Sequence, residues 1–155
     1  MQALVDQELL RSLRHPHDFC IAVIDLDHFK RINDTHGHAT GDLVLRRFAQ
    51  AGQAALRATD VLARWGGEEF LVLLPDTGMP LALAGMERLR EQIAALPFER
   101  PDGPPLALTV SIGLTGHRRG DTLAQTLARA DELLYEAKAQ GRNRTCADPG
   151  EAPLA

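Results

Sequence analysis

The sequence predicts a single α/β domain in which helices pack against a central mixed β-sheet. Its 155 residues, 45 % of them hydrophobic, are enough for one ordinary core. Apolar runs typical of strands alternate with stretches that place apolar residues three or four positions apart, as amphipathic helices do. A Gly-Gly pair between two strand-like runs indicates an antiparallel hairpin. Alternating helices and strands with one hairpin are typical of a mixed sheet flanked by helices.

Short apolar runs predict the strands. The central one reads FCIAVI, a continuous apolar run expected for a strand covered on both faces. A Pro-rich loop, Pro97–Pro105, precedes the last strand, and its prolines discourage regular structure. We expect strands at Phe19–Ile24, at Val61–Trp65 and Phe70–Leu74 around a turn at Gly66-Gly67, and at Leu106–Ile112.

Helical periodicity predicts the remaining elements. Apolar positions spaced three and four residues apart run through Gly41–Arg57, Ala82–Ile93 and Leu123–Ala137, and Pro80 suits the first turn of the second of these helices. Met1–Leu13 is expected to form a further helix at the start. The tail Cys146–Ala155 has too little apolar periodicity to pack and is expected to be disordered.

Composition excludes several classes of protein. The 21 acidic residues outnumber the 17 basic ones, so the chain lacks the positive excess of a sequence-independent nucleic-acid binder. Cys20 and Cys146 have neither metal-ligand nor disulfide-scaffold spacing. There is no apolar stretch long enough to cross a bilayer and no signal-peptide pattern. We therefore expect a soluble, cytoplasmic domain with no membrane insertion of its own, although its parent protein could be membrane-anchored.

Two acidic pairs are candidates for a metal site. Asp25 and Asp27 follow the central strand directly, and Glu68-Glu69 follow the glycine pair of the hairpin. Carboxylates that converge on a strand-end cleft form a hard oxygen site, which suits Mg²⁺ and the phosphates that it bridges. Taken as isolated pairs, however, they are better interpreted as ordinary exposed acids.

The surrounding motifs favour the metal site. The segment Asp25-Leu-Asp-His-Phe-Lys-Arg-Ile-Asn-Asp-Thr-His-Gly-His-Ala-Thr-Gly-Asp42, followed by Arg64-Trp-Gly-Gly-Glu-Glu-Phe70, closely resembles the GGDEF family of diguanylate cyclases. Further matches are Ser111-Ile-Gly113 and the stretch from Ala130 to Asn143. The resemblance implies a palm-like α/β fold, similar to class III nucleotidyl cyclases and polymerases, with the GGEEF signature on the hairpin.

The resemblance also implies the activity. Two chains, each with one bound GTP, would face each other as a homodimer and condense the two GTP into cyclic di-GMP and two pyrophosphates. The implied metal ligands are Asp25, the backbone carbonyl of Leu26, and Glu68, the third letter of the signature, which is Glu here rather than Asp. This set suits Mg²⁺, with Mn²⁺ as an alternative. Glu69 would serve a second metal or orient the attacking hydroxyl.

Nucleotide contacts follow from the same motifs. Asn33 and Asp42 match the guanine-binding pair of the family, and a carboxylate can accept from guanine N1–H and N2–H₂ together, which adenine does not offer. Without the resemblance they are a turn former and an acid at a helix N-terminus. The phosphate contacts would be Lys30, Lys138 and Arg142, otherwise interpreted as solvated basic residues. Gly66 and Gly67 would let the backbone approach the nucleotide closely, besides forming the turn.

An RxxD motif indicates product inhibition. Arg57 and Asp60 have the spacing that binds the cyclic dinucleotide in this family, and Arg88 resembles a secondary arginine that contacts the same molecule. Arg57 can donate hydrogen bonds to O6 and N7 of guanine, and Asp60 can accept hydrogen bonds from the other edge of the same base. The alternative is an ion pair near a helix end, worth about 0.3 kcal/mol.

Three histidines, His28, His36 and His38, are close together in the sequence, but we do not expect a zinc site because they lie on a polar loop without the usual spacing. The family commonly has an aromatic residue where His36 stands. It also begins with an Asp-x-Leu-Thr-x-Leu-x-Asn-Arg segment that is absent before Asp25. The resemblance therefore implies an N-terminally truncated domain over residues 1–145, with an upstream sensory or dimerisation domain in the parent protein.

Two other functions remain open from the sequence. One is a receptor or scaffold that binds cyclic di-GMP through Arg57 and Asp60 without catalysis, and the other is cyclisation of a single ATP or GTP to a 3′,5′-monocyclic product. The presence of Glu68, Asp25, Lys138 and Asn33 argues against the first, and the guanine pair together with the signature argues against the second.

Overall fold

The computed structural model describes residues 18–148 together with residues 3, 6, 7, 10 and 11. Most of the helix expected over Met1–Leu13 lies outside the described residues, and so does the tail from residue 149 onward. Among the helices of the described part, none is long and apolar enough to span a membrane.

Between residues 18 and 148 the structure has seven strands and four helices. In chain order they are β1 (Phe19–Leu26), α1 (Phe29–His36), α2 (His38–Ala55), β2 (Val61–Gly66), β3 (Glu69–Pro75), α3 (Met79–Ala95), β4 (Phe98–Arg100), β5 (Gly103–Leu106), β6 (Val110–Gly116), α4 (Leu123–Ala139) and β7 (Arg144–Ala147).

Five of the described strands form one mixed sheet in the order β2-β3-β1-β6-β7. All neighbours are antiparallel except β6 and β7, which are parallel. Strand β1 is central, and near its end Asp25 lies opposite Glu69 on β3 and Ser111 on β6. The predicted α/β class, the mixed sheet and the glycine hairpin are confirmed.

Both faces of the sheet are covered, which explains the continuous apolar run of β1. Because side chains alternate along a strand, Phe19, Ile21 and Val23 pack with residues of α4, while their neighbours pack with α2 and α3 on the opposite face. The residues of β1 up to Ile24 are at most 1 % exposed. By the same alternation, Asp25 faces α4.

The long helices begin and end much as predicted, with local signals that explain their starts. Pro80 lies in the first turn of α3. At the start of α4, Thr122 Oγ1 accepts a hydrogen bond from the Gln125 N–H, and Gln125 Oε1 accepts one from the Thr122 N–H, which forms a capping box. Gly113 lets α4 approach β6 closely, since a Cβ there would lie 2.1 Å from the Ala130 carbonyl oxygen.

Several smaller elements differ from the prediction. The strand predicted at Leu106–Ile112 is confirmed only in part: Leu106 ends β5, and β6 begins at Val110 and continues to Gly116. The Pro-rich loop Pro97–Pro105 is also corrected, since β4 and β5 pair across it. The disorder predicted from Cys146 onward is wrong for its first two residues, because Cys146 and Ala147 belong to β7, where they pair with β6. The partner of β7 lies about thirty residues earlier in the sequence, which local periodicity cannot reveal.

Helix α1 was missed because it buries only Phe29 and so lacks an apolar stripe. It corrects the polar loop predicted for the histidines. His28 precedes α1 in a left-handed conformation, with φ 56°, His36 ends α1, and His38 begins α2.

Candidate functional site

The two acidic pairs meet at one edge of the sheet. The N–H of Leu26, next to Asp25, donates to the carbonyl oxygen of Glu68 at 3.3 Å. Glu69 is the cross-strand neighbour of Asp25, and its side chain lies on the same face because paired residues in antiparallel strands share a face. The structure therefore brings together Asp25, Leu26 and the hairpin acids, as the sequence motifs predicted.

Asp25 is a buried carboxylate with a cationic partner. It is 6 % exposed, and Lys138 Nζ donates to Asp25 Oδ2 at 2.6 Å from the last turn of α4. Burial raises the pKa of Asp25, and the charges of Glu68 and Asp27 also raise it, although Lys138 opposes them. The alternative interpretation of Asp25 as an exposed loop acid is thus wrong.

Glu69 lies in the same electrostatic environment but is more accessible, being half-buried. Burial raises its pKa, and the negative charges of Asp25 and Asp131 add to the effect, while Lys138 lowers it. Asp131, on α4, was not singled out by the sequence motifs as part of the site. The edge of the sheet therefore concentrates acidic groups near a single lysine.

Asp27 has a different environment from Asp25, although both are buried. Its Oδ1 accepts a hydrogen bond from Ser111 Oγ at 2.7 Å. Its Oδ2 accepts one from Thr109 Oγ1 at 2.7 Å and another from the Asn143 N–H at 3.1 Å. Each carboxylate oxygen thus has a donor from the protein, so Asp27 connects β1 to β6 and to the segment after α4.

The predicted basic residues occupy two places. Lys138 contacts Asp25 directly, and Arg142 lies four residues further on, exposed, just beyond the end of α4. The Arg142 N–H donates to the Ala137 carbonyl oxygen at 2.9 Å, which closes the end of the helix. Lys30 is exposed in the first turn of α1. Lys138 is therefore the one of these three basic residues that the structure shows in contact with an acid of the site.

The predicted guanine pair lies where α1 meets α2. A Cβ on Gly41 would clash with Asn33 Oδ1, at 1.8 Å, so the missing side chain of Gly41 makes room for the amide of Asn33. Asp42, the next residue of α2, is exposed. Asn33 lies within α1 rather than in the turn that its residue type suggested. The pair therefore lies at one helix junction, with Asp42 accessible to a ligand.

The glycine pair forms the tip of the hairpin. Gly66 ends β2, and Gly67 adopts φ 51°, a left-handed conformation that glycine tolerates. The side chain of Arg64 donates to the Gly67 carbonyl oxygen at 2.8 Å. A Cβ on either glycine would meet no heavy atom within 4 Å, so the space above the tip is open for the close approach of a ligand.

The RxxD residues line a separate pocket. Arg57 and Asp60 form an ion pair at 3.3 Å, and Asp60 also accepts from the Arg57 N–H at 2.9 Å. The Asp60 side chain is only 3 % exposed, whereas half of the Arg57 side chain is exposed. Arg88 lines the same cavity, of about 130 Å³. Arg57 also donates to Thr77 Oγ1, a pocket residue that the motif did not reveal.

The donor set fits a hard divalent cation that is shared with a substrate. Asp25, Glu68 and the Leu26 carbonyl would supply oxygen ligands, and Mg²⁺ is commonly held by one or two carboxylates together with phosphates. Within the described ranges, no three His, Cys, Asp or Glu side chains are grouped so as to hold a metal by themselves.

This fold and this site define a class: a nucleotidyl-cyclase-like domain with acids at a strand end and at a glycine hairpin. The chain belongs to the GGDEF family, whose description is "Diguanylate cyclase, GGDEF domain" and which matches residues 1–144.

Three known proteins illustrate the similarity. Diguanylate cyclase DgcP of Pseudomonas aeruginosa is 46 % identical over 140 residues, which are 90 % of this chain but only 21 % of that protein. The GGDEF domain of DgcB from Caulobacter crescentus, whose structure was solved with c-di-GMP, is 32 % identical and has a TM-score of 0.90. The match covers 94 % of this chain and 86 % of the DgcB chain. The active GGEEF domain of a diguanylate cyclase from Vibrio cholerae is 33 % identical and has a TM-score of 0.83. That match covers 91 % of this chain and 89 % of the Vibrio chain.

Replacing Lys138 with Met tests the electrostatics of the site. The Asp25 carboxylate would then be buried beside Glu68 and Asp27 without its cation, so its pKa would rise further above the unfolded value. Such a group lowers stability as the pH rises towards its folded pKa. We expect Lys138→Met to reduce the free energy of unfolding by about 1–3 kcal/mol at mildly alkaline pH, and by less at acidic pH.

The measurement is urea denaturation across pH, with the double variant Asp25→Asn/Lys138→Met as the control. The double variant has no carboxylate at position 25, so its loss in free energy of unfolding relative to wild type should no longer depend on pH in this way. An equal deficit in Lys138→Met at acidic and alkaline pH would contradict a role of the lysine in compensating the charge of Asp25.

Proposed function

We propose that this domain is a diguanylate cyclase, which condenses two GTP into cyclic di-GMP and releases two pyrophosphates. The observation that carries the proposal is the junction of β1 with the hairpin, where Asp25 and Leu26 lie against Glu68 and Glu69. Membership of the GGDEF family and the active GGEEF relative support it, since Glu in the third position of the signature is compatible with activity there.

Different residues of this chain bind the metal ion, bind the phosphates and orient the attacking hydroxyl. Asp25, Glu68 and the Leu26 carbonyl would hold Mg²⁺, and the bound ion would supply charge that neutralises the triphosphate and polarises the α-phosphorus. Lys138, Arg142 and Lys30 bind the phosphates. Glu69, half-buried beside Asp25, orients the attacking 3′-hydroxyl.

The base is selected by Asn33 and Asp42. Exposed Asp42 accepts hydrogen bonds from guanine, and the amide of Asn33, fitted against Gly41, adds a further polar group at the same helix junction. Bound adenine would cover the Asp42 carboxylate without offering it donors, and an acceptor left unpaired in this way is penalised, so GTP is preferred over ATP.

Catalysis requires two copies of the chain. One domain holds one GTP, so the 3′-hydroxyl that attacks its α-phosphorus comes from the GTP of a second domain, arranged with two-fold symmetry. The rate per chain therefore rises with protein concentration. The chain spans about a fifth of the curated relative DgcP, and a domain elsewhere in a longer protein would promote this pairing.

Product inhibition acts at the pocket of Arg57, Asp60 and Arg88. The half-exposed guanidinium of Arg57 is available to guanine O6 and N7. Asp60 is almost fully buried and is bonded to Arg57. Its main role is therefore to fix the position of the arginine, and it would contact a ligand only if the ion pair between Arg57 and Asp60 separated. The complex of the related DgcB domain with c-di-GMP supports binding of this dinucleotide within the family.

Replacing Glu68 with Gln tests the catalytic proposal. The amide keeps the size of the side chain but removes the charge that holds the cation, so we expect cyclic di-GMP formation to fall by at least about a hundredfold. Product chromatography after incubation with GTP and Mg²⁺ measures the change. The control is Glu99→Gln, an exposed glutamate on β4, which should retain full activity. Retained turnover in Glu68→Gln would refute the assignment of this ligand.

Replacing Arg57 with Ala tests the inhibitory site. Loss of a charged donor to guanine should weaken cyclic di-GMP binding by about tenfold or more. Calorimetry on the chain with the active site blocked measures this affinity, and Arg119→Ala, an exposed arginine outside the pocket, serves as the control. If wild type binds no cyclic di-GMP, or if both variants bind as wild type does, this pocket is not the inhibitory site.

A further inference from the structure

The segment that follows α4 has an unusual backbone. Three consecutive residues have positive φ: Gly141 at 120°, Arg142 at 65° and Asn143 at 48°. Residues with a Cβ rarely adopt this conformation, although asparagine tolerates it better than most. Such a conformation persists only where the surroundings fix it, and it is often found where function requires it.

Two contacts hold the backbone of this segment from the side of the active site. The Arg142 N–H donates to the Ala137 carbonyl oxygen at 2.9 Å, which ends the helix that carries Lys138. The Asn143 N–H donates to Asp27 Oδ2 at 3.1 Å. Asp27 is two residues from Asp25 but is turned towards β6, where Ser111 and Thr109 donate to it.

A third contact holds the side chain of Asn143 from the opposite side of the sheet edge. Arg90, on α3, donates from Nη1 to Asn143 Oδ1 at 2.9 Å. The Arg90 side chain is only 16 % exposed and is itself paired with Glu87 at 2.5 Å. Asn143 is thus held at its N–H by a buried carboxylate and at its side chain by the largely buried guanidinium of Arg90. We refer to Asp27, Arg90 and Asn143 as the clamp.

We propose that the clamp positions the phosphate-binding end of α4. By fixing Asn143 in its left-handed conformation, it holds the backbone next to Arg142, just beyond the end of the helix that carries Lys138. Its members are positioning residues, since the oxygens of Asp27 are already engaged with protein donors. This inference rests on the proposed function, because it assumes that Lys138 and Arg142 receive the phosphates of GTP.

If the clamp contributes only to stability, its loss should have a different effect on nucleotide binding than if it positions the phosphate-binding residues. Loss of a structural contact lowers stability and leaves nucleotide affinity unchanged. Loss of a positioning contact weakens the binding of phosphates while leaving the guanine contacts at the junction of α1 and α2 intact. The affinities for GTP and for guanosine therefore separate the two roles.

The experiment compares Asn143→Ala, Asn143→Gly and Asp27→Asn with wild type. Alanine disfavours the left-handed conformation and removes the side-chain contact with Arg90, whereas glycine removes only that side-chain contact; in both, the Arg90 bond to the backbone carbonyl oxygen of residue 143 at 3.4 Å can remain. Asparagine at position 27 lacks one of the two acceptor oxygens that now serve Ser111, Thr109 and Asn143. Ser111→Ala is the matched control, because it removes a donor to the same carboxylate without touching Asn143.

Dissociation constants for GTP and guanosine are measured with Mg²⁺ by competition against a fluorescent GTP analogue. We expect GTP affinity to fall about tenfold in Asn143→Ala and Asp27→Asn, less in Asn143→Gly, and not at all in Ser111→Ala, with guanosine affinity unchanged throughout. Asn143 is exposed, so its variants test the inference even if Asp27→Asn does not fold. Unchanged GTP affinity in Asn143→Ala, or parallel losses for GTP and guanosine, would overturn it.

These outcomes also separate the clamp from the proposed function. If wild type binds GTP but makes no cyclic di-GMP, the proposed activity fails while the ratio of affinities still tests the clamp. If wild type makes cyclic di-GMP and Asn143→Ala binds GTP equally well, only the clamp fails. A wild-type chain that binds no GTP overturns both.

Discussion

The site depends on one constraint, which is that a carboxylate is buried where an apolar strand ends. Asp25 lies on the face of β1 that α4 covers, so it is desolvated like its apolar neighbours and must be compensated. Lys138 provides that compensation at 2.6 Å, while Glu68, Glu69 and Asp131 add negative charge nearby. A single lysine among these acids leaves an excess of negative charge, which a bound divalent cation would relieve. The same electrostatic arrangement thus makes the stability of the junction depend on Lys138 and on pH, and it also underlies the proposed chemistry.

Helix α3 lies between the two proposed ligand sites. Arg88 lines the pocket of Arg57 and donates to the Ala55 carbonyl oxygen at 3.4 Å, at the end of α2. Two residues later, Arg90 contacts Asn143. Side chains two positions apart on a helix point in different directions, so one short stretch of α3 contacts both the product pocket and the segment behind the phosphate site. The active site and the pocket therefore share helix α3, and both also include residues of β3, Glu69 in the active site and Leu74 in the pocket.

The sequence predicted most of what local patterns can specify. The long helices and the strands of the central hairpin follow from apolar periodicity and from the glycine pair, and the acids of the site follow from a family motif. Helix α1 was missed because it buries one large side chain, and β7 because its partner, β6, lies about thirty residues away in the sequence. The different environments of Asp25 and Asp27, the contact of Thr77 with Arg57 and the clamp on Asn143 depend on tertiary contacts that no local pattern encodes.

The central claim is that two copies of this chain join two GTP molecules. Product analysis tests it most directly: the chain is incubated with GTP and Mg²⁺ at several protein concentrations, and the nucleotides are separated by chromatography. We expect cyclic di-GMP, with two pyrophosphates for each molecule formed and a rate per chain that rises with protein concentration. A monocyclic guanosine phosphate, or no cyclic product from a chain that binds GTP, would contradict the account.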